Sequence, residues 1–349
     1  MRYKVNQQTK KITLIIRLLI ILVVGILLLS LISGYKYYAD NLKAVSSSNQ
    51  TKVVIVRKGF TSKDIGNLLY SDKLIRSSVV FDVYIHLFGK SNLQAGTYNI
   101  SPNMSVPKIV DLLVSGKVAT TLITIFPGTR IDEIKQNFIK FGFSSAQVNQ
   151  AFDVSLYKNL PIMSYVPSGT NTLEGLLWPD SFLVDSNTDP EVIINESLSE
   201  MNQQITPQIK ASFSKEGLSV YQGITLASII IKEVSNSTDQ AQAAQVFLSR
   251  LAINMPLGSD VTALYGDAIN NQPTNLAYDS PYNTLLHAGL PPTPISTIST
   301  SSLNAVANPA STAWLYFVTG DNGITYFSKT AAEQQQNTQL YCHKLCSLP

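Results

Sequence analysis

Apolar and polar positions fall into three patterns along this chain. Residues 12–34 (ITLIIRLLIILVVGILLLSLISG) are almost continuously apolar, with Arg17 the one charged residue among them. A run of that length spans a bilayer as one helix, and an arginine near its end carries its charge out to the headgroups. Residues 35–52 are polar and serine-rich, which predicts a flexible linker. Periodicity then predicts a strand at 53–56 and a helix over 61–74 that opens on a threonine cap and spaces Ile65, Leu68 and Leu69 along one face. A helix at 79–88, a strand at 96–100 and a helix at 106–113 complete a small mixed module.

A second strand-to-helix switch opens a larger unit. Residues 121–126 (TLITIF) read as a strand ending at Pro127-Gly128, followed by helices over 131–141, 145–152, 190–204 and 226–234. Three segments without clear period interrupt or follow them: EGLLWPDSF, GSDVTALYG and SPYNTLLHAGLPPTPIS. Long irregular segments inside a compact domain usually carry function. The boundaries expected are a tail at 1–11, an anchor at 12–34, a linker at 35–52, a module at 53–118, a larger domain at 119–341 and a C-terminal tail at 342–349.

Charge fixes the orientation expected of the anchor. Arg2, Lys4, Lys10, Lys11 and Arg17 are the only charges up to residue 17, and all are positive. The positive-inside bias therefore holds this end in the cytoplasm and exports the rest as a single-pass membrane protein. A cleavable signal peptide is the rival reading, but its small-residue cleavage site is missing before Tyr35. The five basic residues exceed the net charge of +3, which leaves the exported body at about −2. A nearly neutral body argues against nucleic acid, whose binding domains present a basic face. With 14% charged residues and many Ser, Thr, Asn and Gln, it suits neutral, hydroxyl-rich ligands such as glycans.

Little material is present for metal or nucleophilic chemistry. The two cysteines, Cys342 and Cys346, lie close together as C-H-K-L-C, which reads as a local disulfide or two free thiols. A metal site needs more ligands than His343 adds to them, and His86 and His287 are the only other histidines. No metal or cofactor is expected. Catalysis, if present, falls to carboxylates.

One carboxylate stands out. In Thr225-Leu-Ala-Ser-Ile-Ile-Ile-Lys-Glu233, residues Leu226, Ile229, Ile230 and Glu233 share one helical face, so the glutamate lies on the apolar stripe. Desolvation there raises a carboxyl pKa toward neutrality, as a general acid requires. The plainer alternative is a helix-ending glutamate that reaches solvent or a neighbouring base.

The same segment resembles the helix of the MltG/YceG-like endolytic murein transglycosylases, through Leu226-Ala227-Ser228-Ile229 and Lys232-Glu233. Further motifs follow in the family's order: Glu174-Gly175 with Trp178-Pro179-Asp180-Ser181, Val246-Phe247 with Arg250-Leu251, then Asp260, Thr262 and Tyr265-Gly266. Tyr282-Asn283-Thr284, Gly289-Leu290-Pro291-Pro292, Asn308-Pro309-Ala310 and Leu315-Tyr316-Phe317-Val318 continue the series, so that the similarity runs over about 53–337. Four positions depart from the pattern: Ile231 replaces a glutamate, Ser249 an asparagine and Thr325 a frequent histidine, and Glu333 is followed by glutamines before Asn337.

The resemblance implies an α+β fold with an N-terminal transmembrane helix, a small LysM-like module and a larger catalytic domain. It implies a lyase that cuts nascent peptidoglycan strands internally, between N-acetylmuramic acid and N-acetylglucosamine, and leaves 1,6-anhydro ends. Glu233 maps onto the catalytic glutamate, and glycan-polymerising synthases, the penicillin-binding proteins, are the implied partners. Glu174, Asp180, Asp260, Thr262, Tyr265, Tyr282 and Asn283 are candidate substrate-binding residues. Glu174 serves equally well as a loop-holding carboxylate capping backbone N–H groups, the two aspartates as turn residues, and Tyr265 as core. Trp178 and Trp314 read as core. The other readings are a two-carboxylate hydrolase, a non-catalytic peptidoglycan-binding scaffold and a structural assembly protein.

Overall fold

The computed structural model describes residues 2–116, 121–185, 188–344 and 346, with side chains from Ile21 onward. The chain divides into two compact units, Met1–Thr121 with 184–187, and Leu122–Leu183 with 188–349. The boundary expected at 118/119 lies outside the described residues.

The first unit begins with α1 (Arg2–Asn41), whose residues from Ile21 to Tyr37 are almost all exposed. Helix continues to Asn41, so only 42–51 of the stretch expected as linker lacks a regular element. Leu42 packs on the module's core and its carbonyl accepts from Val106 N–H. The Arg76 guanidinium donates to the carbonyls of Ala44 and Val45. Polar sequence hid this order, because the segment is held by its backbone carbonyls and one leucine rather than by an apolar stripe.

The module itself follows the predicted order. It comprises β1 (Lys52–Val56), α2 (Ser62–Ser71), α3 (Ser78–Leu87), β2 (Gly96–Ile100) and α4 (Val106–Ser115). β1 and β2 pair antiparallel, with Lys52 opposite Ile100 and Val56 opposite Gly96. Thr61 and Asp64 form a reciprocal capping box at α2, and the Ser77 side chain caps α3. α4 carries Pro107 in its first turn and ends at Gly116 in the left-handed region. Val54, Ile65, Leu69, Phe81, Ile85, Tyr98 and Val110 meet in one core.

The second unit is mainly helical. β3 (Thr121–Thr124) precedes α5 (Ile131–Phe141) and α6 (Ser145–Ala151), and two short 3-10 turns lead to β4 (Ser181–Val184), which pairs with β3. Then come α7 (Pro190–Gln204), α8 (Pro207–Lys215), α9 (Val220–Glu233), α10 (Ser237–Ala252), α11 (Asp260–Ile269) and α12 (Thr300–Ala307). The β5 (Tyr316–Thr319) and β6 (Thr325–Ser328) hairpin and α13 (Ala331–Tyr341) close the unit. α9 is its axis: Gly223 through Ile230 are all buried, against α8, α10, α11 and α12. Gly223 admits Phe213 of α8, whose ring would stand 2.3 Å from any Cβ there.

Two expectations change here. α9 starts at Val220 rather than 226, behind a Ser219–Gln222 capping box. GSDVTALYG, expected as irregular, instead opens α11. Its inward side is Thr262, Ala263, Tyr265 and Gly266, small and polar residues that print no apolar stripe.

Candidate active site

Glu233 is the last residue of α9, where the helix gives way to extended backbone at Val234. Leu226, Ile229 and Ile230 of its stripe are fully buried. Glu233 keeps part of its surface open to a cleft of about 310 Å³. Phe247 and Arg250 of α10 form one wall, Leu257, Gly258 and Asp260 a second, and Phe317, Val318 and Thr319 of β5 a third. The Cys342–Cys346 disulfide closes the rim. A larger cavity, about 670 Å³, lies around the opposite end of α9 beside Gly289-Leu290-Pro291-Pro292.

Burial pushes the pKa of Glu233 up to about 7. The neighbouring Asp260 pushes the same way, while a hydrogen bond from Ser259 and the Arg250 charge oppose it. The Ser259 hydroxyl donates to Oε1 of Glu233. Ser259 is the N-cap of α11, where a serine ordinarily accepts from a first-turn N–H, yet it makes no side-chain cap bond. Its position is fixed behind the site. Ser259 N–H donates to Thr284 Oγ1 at 3.2 Å, and Thr262 Oγ1 lies 2.8 Å from Thr284 Oγ1 and donates to the Ser259 carbonyl.

Arg250 braces the opposite wall. Its Nε donates to the Leu315 carbonyl at 2.7 Å, its Nη1 to the Leu257 carbonyl, and its guanidinium lies over the Tyr316 ring. Ser259, Thr284 and Arg250 are absent from the candidate residues. Arg250 was visible as a motif residue; Ser259 would have been found as an N-cap serine just before Asp260, had α11 been recognised.

The other candidates separate into three places. Asp260 is exposed on the cleft wall beside Glu233, and partial burial raises its pKa. Thr262 and Asn283 are fully buried and turned inward. Asn283 donates to the Leu276 and Tyr278 carbonyls and accepts from Leu285 N–H, which ties its own loop together. Asp180 is exposed outside the cleft lining and bonds the Ser181 N–H after it.

Glu174, Tyr265 and Tyr282 form a second cluster. Glu174 is 1% exposed; its Oε2 accepts from Ile131 N–H and from the Tyr265 hydroxyl, both at 3.1 Å, and its Oε1 has no partner. Burial raises this carboxyl to about 7 as well. Tyr265 and Tyr282 pack with ring centroids 4.8 Å apart, and the Tyr282 hydroxyl meets Thr293 Oγ1. Glu174 thus joins the start of α5 to α11. The following Gly175 has φ +72°, and a Cβ on it would stand 2.1 Å from Pro294. Trp178 is buried, while Trp314 is half-buried beneath Lys329.

Of the positions that depart from the family pattern, Ile231 lies on α9 two residues before Glu233 and Ser249 on α10 beside Arg250, both half-buried. Thr325 pairs its hydroxyl with that of Thr319 on the cleft wall. Glu333 completes the capping box of α13, and Gln334 bonds Ser328 and the Phe317 carbonyl.

Three comparisons bear on this geometry. The model of the YceG-like family matches residues 54–340. The chain is 29% identical over 324 residues to a Bacillus subtilis (strain 168) protein named endolytic murein transglycosylase, covering 88% of this chain and 90% of that one. A protein of the same name from Streptococcus pneumoniae serotype 2 is 26% identical over 339 residues; the alignment takes in 87% of this chain and 61% of the longer relative. The crystal structure of a yceG-like protein from Listeria monocytogenes superposes with a TM-score of 0.57 at 30% identity, covering 83% of this chain and 99% of that one.

Proposed function

This chain belongs to the YceG-like family, and we propose that it is a membrane-anchored endolytic murein transglycosylase with Glu233 as its one catalytic acid and base. The observation that carries the reading is a carboxyl at the end of the buried helix α9, held near pKa 7 by burial and opening on a cleft. Such a group is protonated often enough at neutral pH to donate, and basic enough afterwards to accept.

The reaction balances with that single group. Protonated Glu233 gives its proton to the glycosidic oxygen between N-acetylmuramic acid and N-acetylglucosamine as the C1–O bond breaks. The C6 hydroxyl of the same N-acetylmuramic acid then attacks C1, and its proton returns to Glu233. The 1,6-anhydro ring closes without water. Ser259 holds Oε1, and Oε2 is the oxygen assigned to carry the proton. Asp260 binds sugar hydroxyls at the rim, whereas Glu174, sealed beside Tyr265, supports the fold behind the site.

The remaining parts fit that assignment. α1 supplies one apolar helix of spanning length near the N-terminus, and the positive residues before it favour a cytoplasmic tail and an extracytoplasmic body. The first unit resembles a LysM-type module in its strand–helix–helix–strand order and would hold N-acetylated sugars. Glycan-polymerising synthases are the partners proposed.

Glu233→Gln tests the proposal, because it keeps size and hydrogen-bonding reach and removes proton transfer. With the purified variant on uncrosslinked glycan, anhydro ends are expected to fall by about 10⁴, the upper end for general acid–base catalysis, while glycan binding survives. Cutting within about tenfold of the parent would reject Glu233. Asp260→Asn distinguishes the hydrolase: reducing ends from the parent and a dead Asp260 variant would require a carboxylate pair.

A further inference from the structure

We propose that the outer face of α3 is a second membrane contact, seated in the headgroup layer of the bilayer that α1 spans. This rests on the membrane-anchored reading above.

α3 is apolar on both sides. Val80, Phe81 and Ile85 face the core of the module. Val79, Val83 and Leu87, at i, i+4 and i+8, form one line on the opposite side and are 70%, 40% and 68% exposed. A water-facing helix ordinarily puts charged and polar residues there, and a contiguous exposed apolar strip marks an interaction surface. The polar residues of α3 lie to one side, where Asp82 takes up the Ser62 hydroxyl and His86.

The position of α1 identifies the occupant. The helix runs without a joint into the module, where Leu42 is packed and Ala44 and Val45 are gripped by Arg76. With residues 12–34 as the span, Tyr38 stands one turn, about 6 Å, beyond its end. The Tyr38 hydroxyl is buried, the Arg76 grip on Ala44 and Val45 lies just before α3 begins at Ser78, and Tyr84 of α3 packs against Phe88 at 4.7 Å. α3 is therefore held at headgroup depth. Exposed Tyr35 and Tyr37 lie at the same level, where aromatic rings anchor spans to the interface. Three side chains without a polar atom suit lipid, which requires apolar area rather than a shaped partner.

Both cysteines of the chain are in one disulfide, so single cysteines carry a dye cleanly. Val83→Cys and Leu87→Cys, labelled with an environment-sensitive fluorophore in the full-length chain, go into lipid nanodiscs at one chain per disc. Tyr37→Cys reports the anchor. With quencher-bearing lipid, the dyes at 83 and 87 are expected to lose about half their emission or more, as a group seated ~5–10 Å deep would. A dye at 79 is expected to stay bright once Val83→Glu and Leu87→Glu are introduced, both at exposed sites that the fold does not need. Bright dyes at 83 and 87 beside a quenched one at 37 overturn the proposal and leave the anchor standing. A bright dye at 37 as well removes the anchor and the proposal together. A blue shift seen only when several chains share a disc assigns the face to a second copy and overturns the lipid contact.

Discussion

Ser259 forgoes its usual cap bond to hold Glu233, and that bond acts on the carboxyl twice: it fixes one oxygen, and it favours the charged form against burial. Ser259→Ala is expected to shift the basic limb of the pH–rate profile to higher pH. It should also lower kcat by about tenfold, the worth of a hydrogen bond to a charged group, with KM little changed. An unchanged limb would mean that Ser259 serves only to place the loop. Glu174 has a different consequence, read in stability. Its carboxyl ordinarily titrates at 4.5 and is held at about 7 in the fold. Between those values the folded chain keeps a proton that the unfolded chain has lost, so stability falls as pH rises through this window. The full cost above it is on the order of 3 kcal/mol. Glu174→Gln abolishes that titration while its amide oxygen keeps both bonds. Its melting temperature is therefore expected to vary less than the parent's between about pH 5 and pH 8, in a thermal scan followed by circular dichroism.

At the scale of elements, the turn after Glu174 has the least room. Gly175→Ala forces a left-handed residue to carry a Cβ into Pro294, and urea unfolding should show a loss of roughly 3 kcal/mol. The elements legible from sequence are those with an apolar stripe or clear caps, as in α3, α5 and β2. α9 was readable from Leu226, because its apolar run begins there, whereas Tyr221, Gln222 and Gly223 carry no stripe and only the Ser219–Gln222 box signals the start. α11 was hidden by a small, polar buried side, and α13, polar all round with no buried residue, by having no period at all. The site follows the same logic. Glu233 was visible because a carboxylate on an apolar stripe is anomalous within its own helix. Ser259 acts across 26 residues, and no local pattern encodes that contact. Thr262 and Asn283 showed the right residue types for sugar binding, but only the packing reveals that both are turned inward.

For the whole molecule, the chain divides into two compact units, and the first takes α1 directly into its packing. Removing residues 1–34 leaves Leu42 and the Arg76 contacts in place, so the module's core does not depend on those residues. The C-terminal turn is less independent. Cys342 and Cys346 stand on the rim of the Glu233 cleft, and the Asp321 carboxylate takes the N–H groups of His343 and Lys344 between them. Disulfides persist in oxidising compartments and not in the cytosol. A soluble body made in a reducing bacterial cytosol, or assayed with dithiothreitol, would therefore present Glu233 behind an unpinned wall. Glycan cutting by exported, oxidised material is expected to fall a few-fold on addition of thiol, and a Cys342→Ser, Cys346→Ser double variant to sit at the lower level with or without it. The route by which a preparation is made thus becomes a variable of its measured rate, and preparations are comparable only after their free thiols have been titrated.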